Sequence, residues 1–496
     1  MPTERIKLDP QDWATVQPAF DQLLAEPLSA ATVGPWLERW SGLDAQLKEY
    51  EYQSWRLSTE NTADEAAERR LMHFLEELQP KIEQHAQRLK EKLLAADLSA
   101  LPADTAQMLR RFRTEAALFR EANLPLSTEI QRLSTEYDKL IGAMAIELDG
   151  KTMTMPQAMT LLQDPDRALR ERVWRAVQDR YLQDRAALDE LFLKMLPLRR
   201  QQARNADLPS YIEYVWGQYG RFDYTPEDCR TFHAAIESEI VPLARAYAAR
   251  RREQLGVETL RPWDLDVDPL GRPALAPFGD VAELEDGCQR MFDQLDPALG
   301  DQFRRMRDGF LDLDSRPNKA PGGYCSFMMD SKVPYIFMNA AGVHDDVQTL
   351  LHEGGHAFHA TESALKQRLI WNYNGPIEFC EVASMAMEHL AAPYLERSKG
   401  GFYAPADARR ARAEHLQGTL TFFPYMAVVD AFQHWVYAEA PEDVSAADLD
   451  AKWGELWDRF MDGADWTGLE DVKVSGWHRK MHIYSSPLYY VEYGLA

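Results

Sequence analysis

Apolar residues recur at intervals of three and four along most of this chain, with charged residues between them, and that period predicts helices. The longest run starts at Val33 and continues to about Ala96, through WLERWSGLDAQLKEYEYQSWRLS and ADEAAERRLMHFLEELQPKIEQHAQRLKEKLL. Pro80 is expected to kink or end one of these helices, because proline brings no amide proton to the ladder. Residues 1–33 are Pro- and Ala-rich and read as short helices. One or two helices fill Ser99 to Leu124, with Pro102 suited to a first turn, and helix continues over 127–142. The rhythm then changes. IELDGKTMTM sets Asp149-Gly150 between two short runs, as a tight hairpin requires. Asp164-Pro165 opens a further helical stretch that reaches about residue 205, and another spans Thr225 to Leu255.

Residues 258–278 are Pro-rich and read as loop, ordered by Trp263 at most, before helix returns over 279–310. GGYCSFMMDSKVPYIFMNA alternates and carries aromatics, so it predicts two strands. Residues 404–465 are helical and rich in Trp, Phe and Tyr. The expected fold class is mainly α, with a small β-sheet beside the segment that carries the chemistry. The expected organisation is an N-terminal helical region over 1–120, a helical lobe over 121–310 with a hairpin near 144–154, and the chemical region over 311–496.

Composition narrows the function. The chain of 496 residues is long enough for two or more packed regions. Its net charge of -24 opposes binding to nucleic acid backbones and anionic membranes, and no basic patch with interleaved aromatics offsets it. No run reaches the length of a membrane span, and MPTERIKLDPQDW has no apolar signal core. Cys229, Cys288, Cys325 and Cys380 form no CxxC pair, so a disulfide framework is not expected. A cytoplasmic location is the expectation.

LLHEGGHAFH places His352 and His356 four apart, on one face of a helix, where two imidazoles reach one metal ion. Glu353 beside the first histidine can approach a metal-activated water without ligating, and this is the physical content of HExxH. One Zn²⁺ per chain is expected on this ligand type. Gly354 and Gly355 weaken the helix by about 1 kcal/mol each relative to alanine, which is tolerated where something approaches closely. A catalytic zinc needs a third ligand. Glu362, Glu378, Glu381, Glu388 and His389 are all available, and periodicity on a helix starting near Ile377 favours Glu378, Glu381 and Glu388 without choosing among them. For any of these to return to the metal, the HExxH helix is expected to stop soon after His359, near Thr361 to Ser363.

These residues resemble the thimet oligopeptidase and oligoendopeptidase F family of zinc peptidases. HEGGHAFH looks like the family's extended motif, and the family's third ligand lies 25 residues beyond the second histidine, which falls on Glu381. The resemblance therefore implies His352, His356 and Glu381 as ligands and Glu353 as general base. Glu388 matches an acidic position on the same helix; with Asp346 and Glu378 it is expected to support the ligands. SRPNKAPGGYCSFMM and PYIFMNAAG look like the family's substrate-side loop and edge strand, which implies peptide contacts from Gly322, Gly323, Tyr324, Tyr335 and Phe337. HIYSSPLYYVEYGLA resembles the tyrosine- and histidine-bearing segment. There His482 matches the histidine that faces substrate, Tyr490 and Tyr493 match the catalytic tyrosines, and Tyr489 is assigned to substrate binding. The family's architecture implies two helical lobes around a deep channel that admits short unfolded peptides. Members usually continue past this segment, so a C-terminal truncation at Ala496 is expected. Two readings rival a zinc endopeptidase: a zinc carboxypeptidase and a catalytically silent peptide-binding scaffold.

Overall fold

The computed structural model describes residues 8–99 and 101–496; the first seven residues of the segment read as short helices, and of the N-terminal signal test, lie outside it. The protein is mainly helical. Val33–Glu60 forms one unbroken helix, and Pro80 neither ends nor kinks out the next one. A π-turn over Phe74–Leu78 immediately precedes Gln79–Leu94, and a second π-turn over Ile236–Ile240 precedes Val241–Leu255 with its Pro242. In each case the widened turn holds the carbonyl four residues before the proline, where the ring would otherwise clash.

The hairpin forms as its sequence demands. β1 (Ala145–Leu148) pairs antiparallel with β2 (Lys151–Thr154), and Asp149 and Gly150 take φ of 51° and 77°. The loop over 258–278 is anchored by more than Trp263. Asp264 is fully buried in its short 3₁₀ turn and accepts hydrogen bonds from Arg167 Nε and Arg170 Nη2, each at 2.9 Å.

Three strands make the second sheet, one more than the alternation predicts. β3 (Leu311–Asp314) runs parallel to β5 (Val333–Ala340), and β4 (Tyr324–Met328) runs antiparallel to it, in the order β3-β5-β4. PYIFMNA, expected at the edge, is thus the middle strand. One face of this sheet packs on the HExxH helix: Ile336 and Met338 share a core with Val347, Leu350 and Leu351. The other face packs on Val33–Glu60. Tyr324 lies across from Phe337 in register, stacks on it at 4.7 Å, and bonds Thr59 Oγ1 at 2.7 Å through its hydroxyl. Tyr335 donates to Glu60. Tyr324 and Tyr335, expected to contact peptide, are bonded to the N-terminal helix, and Phe337, expected to do the same, stacks on Tyr324 beneath the Lys319 ammonium.

The apolar cores do not follow the linear division of the chain at 310/311. The largest draws Leu133–Trp263 together with Met426–Val491, and a second joins Leu275–Met306 to Leu313–Ala411. The helix Pro405–Ala438 explains the mixing. Its 34 residues span about 50 Å, so Ala408 and Ala411 lie in one core and Phe432 and Val436 in the other. A cavity of about 1420 Å³ runs along this helix, bounded by Gly322, Gly323, Thr349, Phe422, Tyr425 and Trp457 among others.

Candidate metal centre

His344–Lys366 is the HExxH helix. Asp346 sets its start: one carboxylate oxygen accepts from the backbone N–H groups of Ala341, Gly342 and Val343 at 2.7–2.9 Å, so it fixes the helix end and leaves the ligands to others. The helix ends three residues later than Ser363. The return to the metal is made by the ten residues 367–376, which run back along it before Ile377–Ala391 begins. Gly354 and Gly355 let neighbours close in. A Cβ on Gly355 would stand 2.6 Å from Ser384 Cα, and one on Gly354 would stand 2.9 Å from Phe292 Cζ. That contact brings the two helices together along the ligand face.

There the donors converge. One ligand atom each from His352, His356 and Glu381 lie within 4.8 Å of one another. Glu381 Oε2 is 3.2 Å from His352 Nε2 and 3.4 Å from His356 Nε2. Glu388 Oε1 holds the other nitrogen of His352, Nδ1, at 2.8 Å, which leaves Nε2 for a metal. His415 Nε2 lies 3.4 Å from the second oxygen of Glu388. Ser384 Oγ donates to Glu381 Oε2 at 2.9 Å and Tyr489 Oη donates to Oε1 at 2.5 Å. Burial would lower the His352 pKa, but hydrogen bonds to Glu381 and Glu388 push it up to about 10. Burial likewise opposes the Glu381 charge, yet bonds from His352 and His356 hold its carboxyl well below the usual range. The cluster is a set of charges that one cation would satisfy. This donor set, two imidazoles and a carboxylate with a supported imidazole, fits zinc.

Glu353 is buried one position along the helix. Burial pushes its carboxyl up, and His356 and His352 pull it down. Gly323 lies over it: a Cβ there would stand 3.5 Å from Glu353 Oε1. Glu378 sits on the opposite helix with Oε2 buried and without a hydrogen-bond partner among the described residues, and it does not join the ligand set.

The tyrosine segment docks from the far side. Arg199 donates to the Ile483 carbonyl at 2.9 Å, and Arg221 donates to the Leu488 carbonyl at 2.7 Å. Leu488, at φ 62°, turns the chain so that Tyr489 and Tyr493 face the metal ligands. The Tyr493 ring is 6.3 Å from His352, and its hydroxyl is 3.3 Å from His482 Nε2. Tyr490, matched by resemblance to a catalytic tyrosine, has its ring 5.0 Å from His482 and 5.2 Å from Tyr493. Its ring packs against Phe422 and Tyr425 under the Lys480 ammonium, which lies 4.0 Å above it. Tyr489 precedes the short helix Val491–Leu495, and its hydroxyl reaches Glu381, whereas the Tyr490 hydroxyl makes no such bond. Burial, then Glu381, raises the Tyr489 phenol far above its ordinary value, so it remains a donor. His482 is pushed down to about 3 by burial and by Lys480, so its ring is neutral at neutral pH. Ser384 and His415 were not nominated from sequence; Ser384 follows Glu381 by three on one helix face, a usable signal, whereas His415 reaches Glu388 from a separate helix.

The fold and this centre define a helical protein in which the two histidines of an HExxH segment converge with a glutamate of the next long helix. Residues 160–496 match the profile of peptidase family M3, and the chain belongs to that family. It is 23% identical over 338 residues to the plasmid oligoendopeptidase F of Lactococcus lactis subsp. cremoris, covering 66% of this chain and 50% of that protein. The chain thus spans about half the length of this curated relative. Among solved structures, one assigned as oligoendopeptidase F superposes with a TM-score of 0.91 at 28% identity, over 98% of this chain and 86% of that one. PZ peptidase A, solved with an inhibitor, gives a TM-score of 0.91 at 26% identity and the same coverages. No helix among the described residues is long and apolar enough to cross a membrane, and the four cysteines are unpaired.

Proposed function

We propose that this chain is a zinc-dependent oligoendopeptidase that hydrolyses internal bonds of short unfolded peptides. The observation that carries this reading is the convergence of His352, His356 and Glu381 beside a buried, non-ligating Glu353. His352, His356 and Glu381 would hold the zinc, which supplies a Lewis acid for the scissile carbonyl and a more acidic water. Glu353 takes the proton from that water and later passes it to the leaving amine. Its raised carboxyl suits a group that must both accept and return a proton. Tyr489 and Tyr493, both protonated, with His482 beside them, are the donors for the developing oxyanion. The peptide backbone would pair with the outer edge of β4, next to Gly323, because the aromatic side chains of the sheet are occupied elsewhere. The cavity that reaches Gly322 and Gly323 supports a substrate of limited size. Unpaired thiols fit a cytoplasmic location.

The test is cleavage of an end-blocked, internally quenched peptide before and after chelation and zinc restoration. Internal cleavage that vanishes with chelator, returns with zinc and is absent in Glu353→Gln supports the proposal. Cleavage only of peptides with a free C-terminus would favour a carboxypeptidase. No cleavage by zinc-loaded protein across a diverse panel would favour a silent scaffold.

A further inference from the structure

A second cluster of metal-ligating side chains lies deep in the largest core. The helix Pro226–Ala235 presents Cys229 and His233 four residues apart, and the helix Pro405–Ala438 presents Asp430 and His434 at the same spacing. Each pair shares one helical face, and the two faces meet. Cys229 Sγ, a carboxylate oxygen of Asp430 and a ring nitrogen of His434 lie within 4.8 Å of one another. All four residues are buried, with Asp430 at 0% and His434 at 4% exposure.

The hydrogen bonding there is incomplete. His233 Nε2 holds Asp430 Oδ2 at 2.8 Å, but Asp430 Oδ1 has no hydrogen-bond partner among the described residues. Both nitrogens of His434 also lack one; Nε2 stands 3.4 Å from Asp430 Oδ2 without the alignment of a hydrogen bond. Buried polar atoms without partners are costly, and one cation can engage a carboxylate oxygen of Asp430, one ring nitrogen of His434 and the Cys229 sulfur together. Arg221, the guanidinium that acts on the Cys229 thiol, is matched by Glu492 at 2.6 Å, and Asp430 is faced by His233 and His434.

We propose that Cys229, Asp430 and His434 bind a second divalent cation of the zinc class, with His233 orienting the Asp430 carboxylate. A thiolate and a carboxylate balance the two positive charges, and the mixed sulfur, nitrogen and oxygen set selects a borderline-soft ion over magnesium or calcium. Ligand atoms around tetrahedral zinc stand roughly 3.5 Å apart, so small side-chain rotations close the site. Binding releases the Cys229 proton to solvent, and no redox change occurs. The ion would pin the helix Pro226–Ala235 to the helix that joins the two cores.

The purified full chain is loaded with zinc, and its metal content is measured. Two equivalents are expected in the native protein and one in the His352→Ala/His356→Ala variant, falling to none when Cys229→Ser is added. Replacing zinc by Co²⁺ gives an independent reading. The catalytic ligands include no sulfur, so a thiolate-to-cobalt charge-transfer band is expected in the near ultraviolet, retained in His352→Ala/His356→Ala and lost in Cys229→Ser. His434→Gln keeps the thiol and is expected to weaken the band, which covers the case in which Cys229→Ser does not fold. One equivalent in the native protein with no thiolate band would overturn the proposal and assign the cluster to a hydrogen-bonded network closed by buried water.

Discussion

The HExxH cluster and the buried cluster use the same local device, residues four apart on one helix facing a carboxylate on another, yet they differ in access. The His352 and His356 side chains keep 17% and 22% of their surface, whereas His434 keeps 5% and Asp430 none. An open coordination position is what a reacting group needs; a closed one favours cohesion. The difference comes from what surrounds each pair. Glycines flank His352 and His356 at 354, 355 and, from the facing loop, 323, while Trp216 and the rest of a large apolar core enclose the other.

The strongest way to break this contrast is to remove one charged group from each region. Glu353→Gln is expected to lower kcat by about 10²–10⁴ with zinc content and melting temperature unchanged. Asp430→Asn should do the reverse, with a stability loss of about 3–5 kcal/mol in denaturant titration and little change in kcat for the folded fraction. If Asp430→Asn abolished catalysis in fully folded protein, the division of labour would fail. Next in size, Tyr489→Phe is expected to cost roughly 10²-fold in kcat while Tyr490→Phe costs less than about twofold, measured on one peptide under saturation. Equal losses would mean that the turn at Leu488 does not sort the tyrosines as described. Glu388→Gln should weaken zinc binding about 10- to 100-fold in a competition titration, since His352 loses the group that orients it.

The smallest effect concerns pH. His344, buried at the start of the HExxH helix beside Tyr403, is pushed down to about 4 by burial first and by His415 second. Unfolded histidine takes its proton near pH 6.5, so the folded state is favoured fully above that value and progressively less as pH falls toward 4. About 1 kcal/mol should be lost between pH 6.5 and 5.5, and His344→Gln should flatten that limb of the stability curve. An unchanged slope in the variant would place the acid sensitivity elsewhere.

These two regions were not equally legible in the sequence. His352, Glu353 and His356 fall within five residues of one helix, so spacing alone carried their geometry. Glu381 needed a family pattern, because Glu378 and Glu388 share its periodicity and only the path of residues 367–376 separates them. The tyrosines turned on a left-handed Leu488 that no periodicity announces. Peptide contact by Tyr324, Tyr335 and Phe337 was implied by the resemblance of their segments, and alternation cannot tell which face of a sheet buried on both sides meets a helix. The π-turns before Pro80 and Pro242 were equally silent, since the residues around them keep a helical pattern. The buried cluster escaped notice because its halves are ordinary pairs 197 residues apart.

The wiring of the tyrosine segment has a consequence for biogenesis. The proposed metal ligands come from within 30 consecutive residues, 352–381, but Tyr489 reaches Glu381 across 108 positions. The segment that carries it is held by Arg199 and Arg221, across 284 and 267 positions. On the ribosome, the ligand set is therefore translated well before the donors for the oxyanion. The proposed ligand set can thus fold into place while the hydroxyls that are proposed to face it are still to be made, and completion of the site waits for residues 483–493 to dock on Arg199 and Arg221.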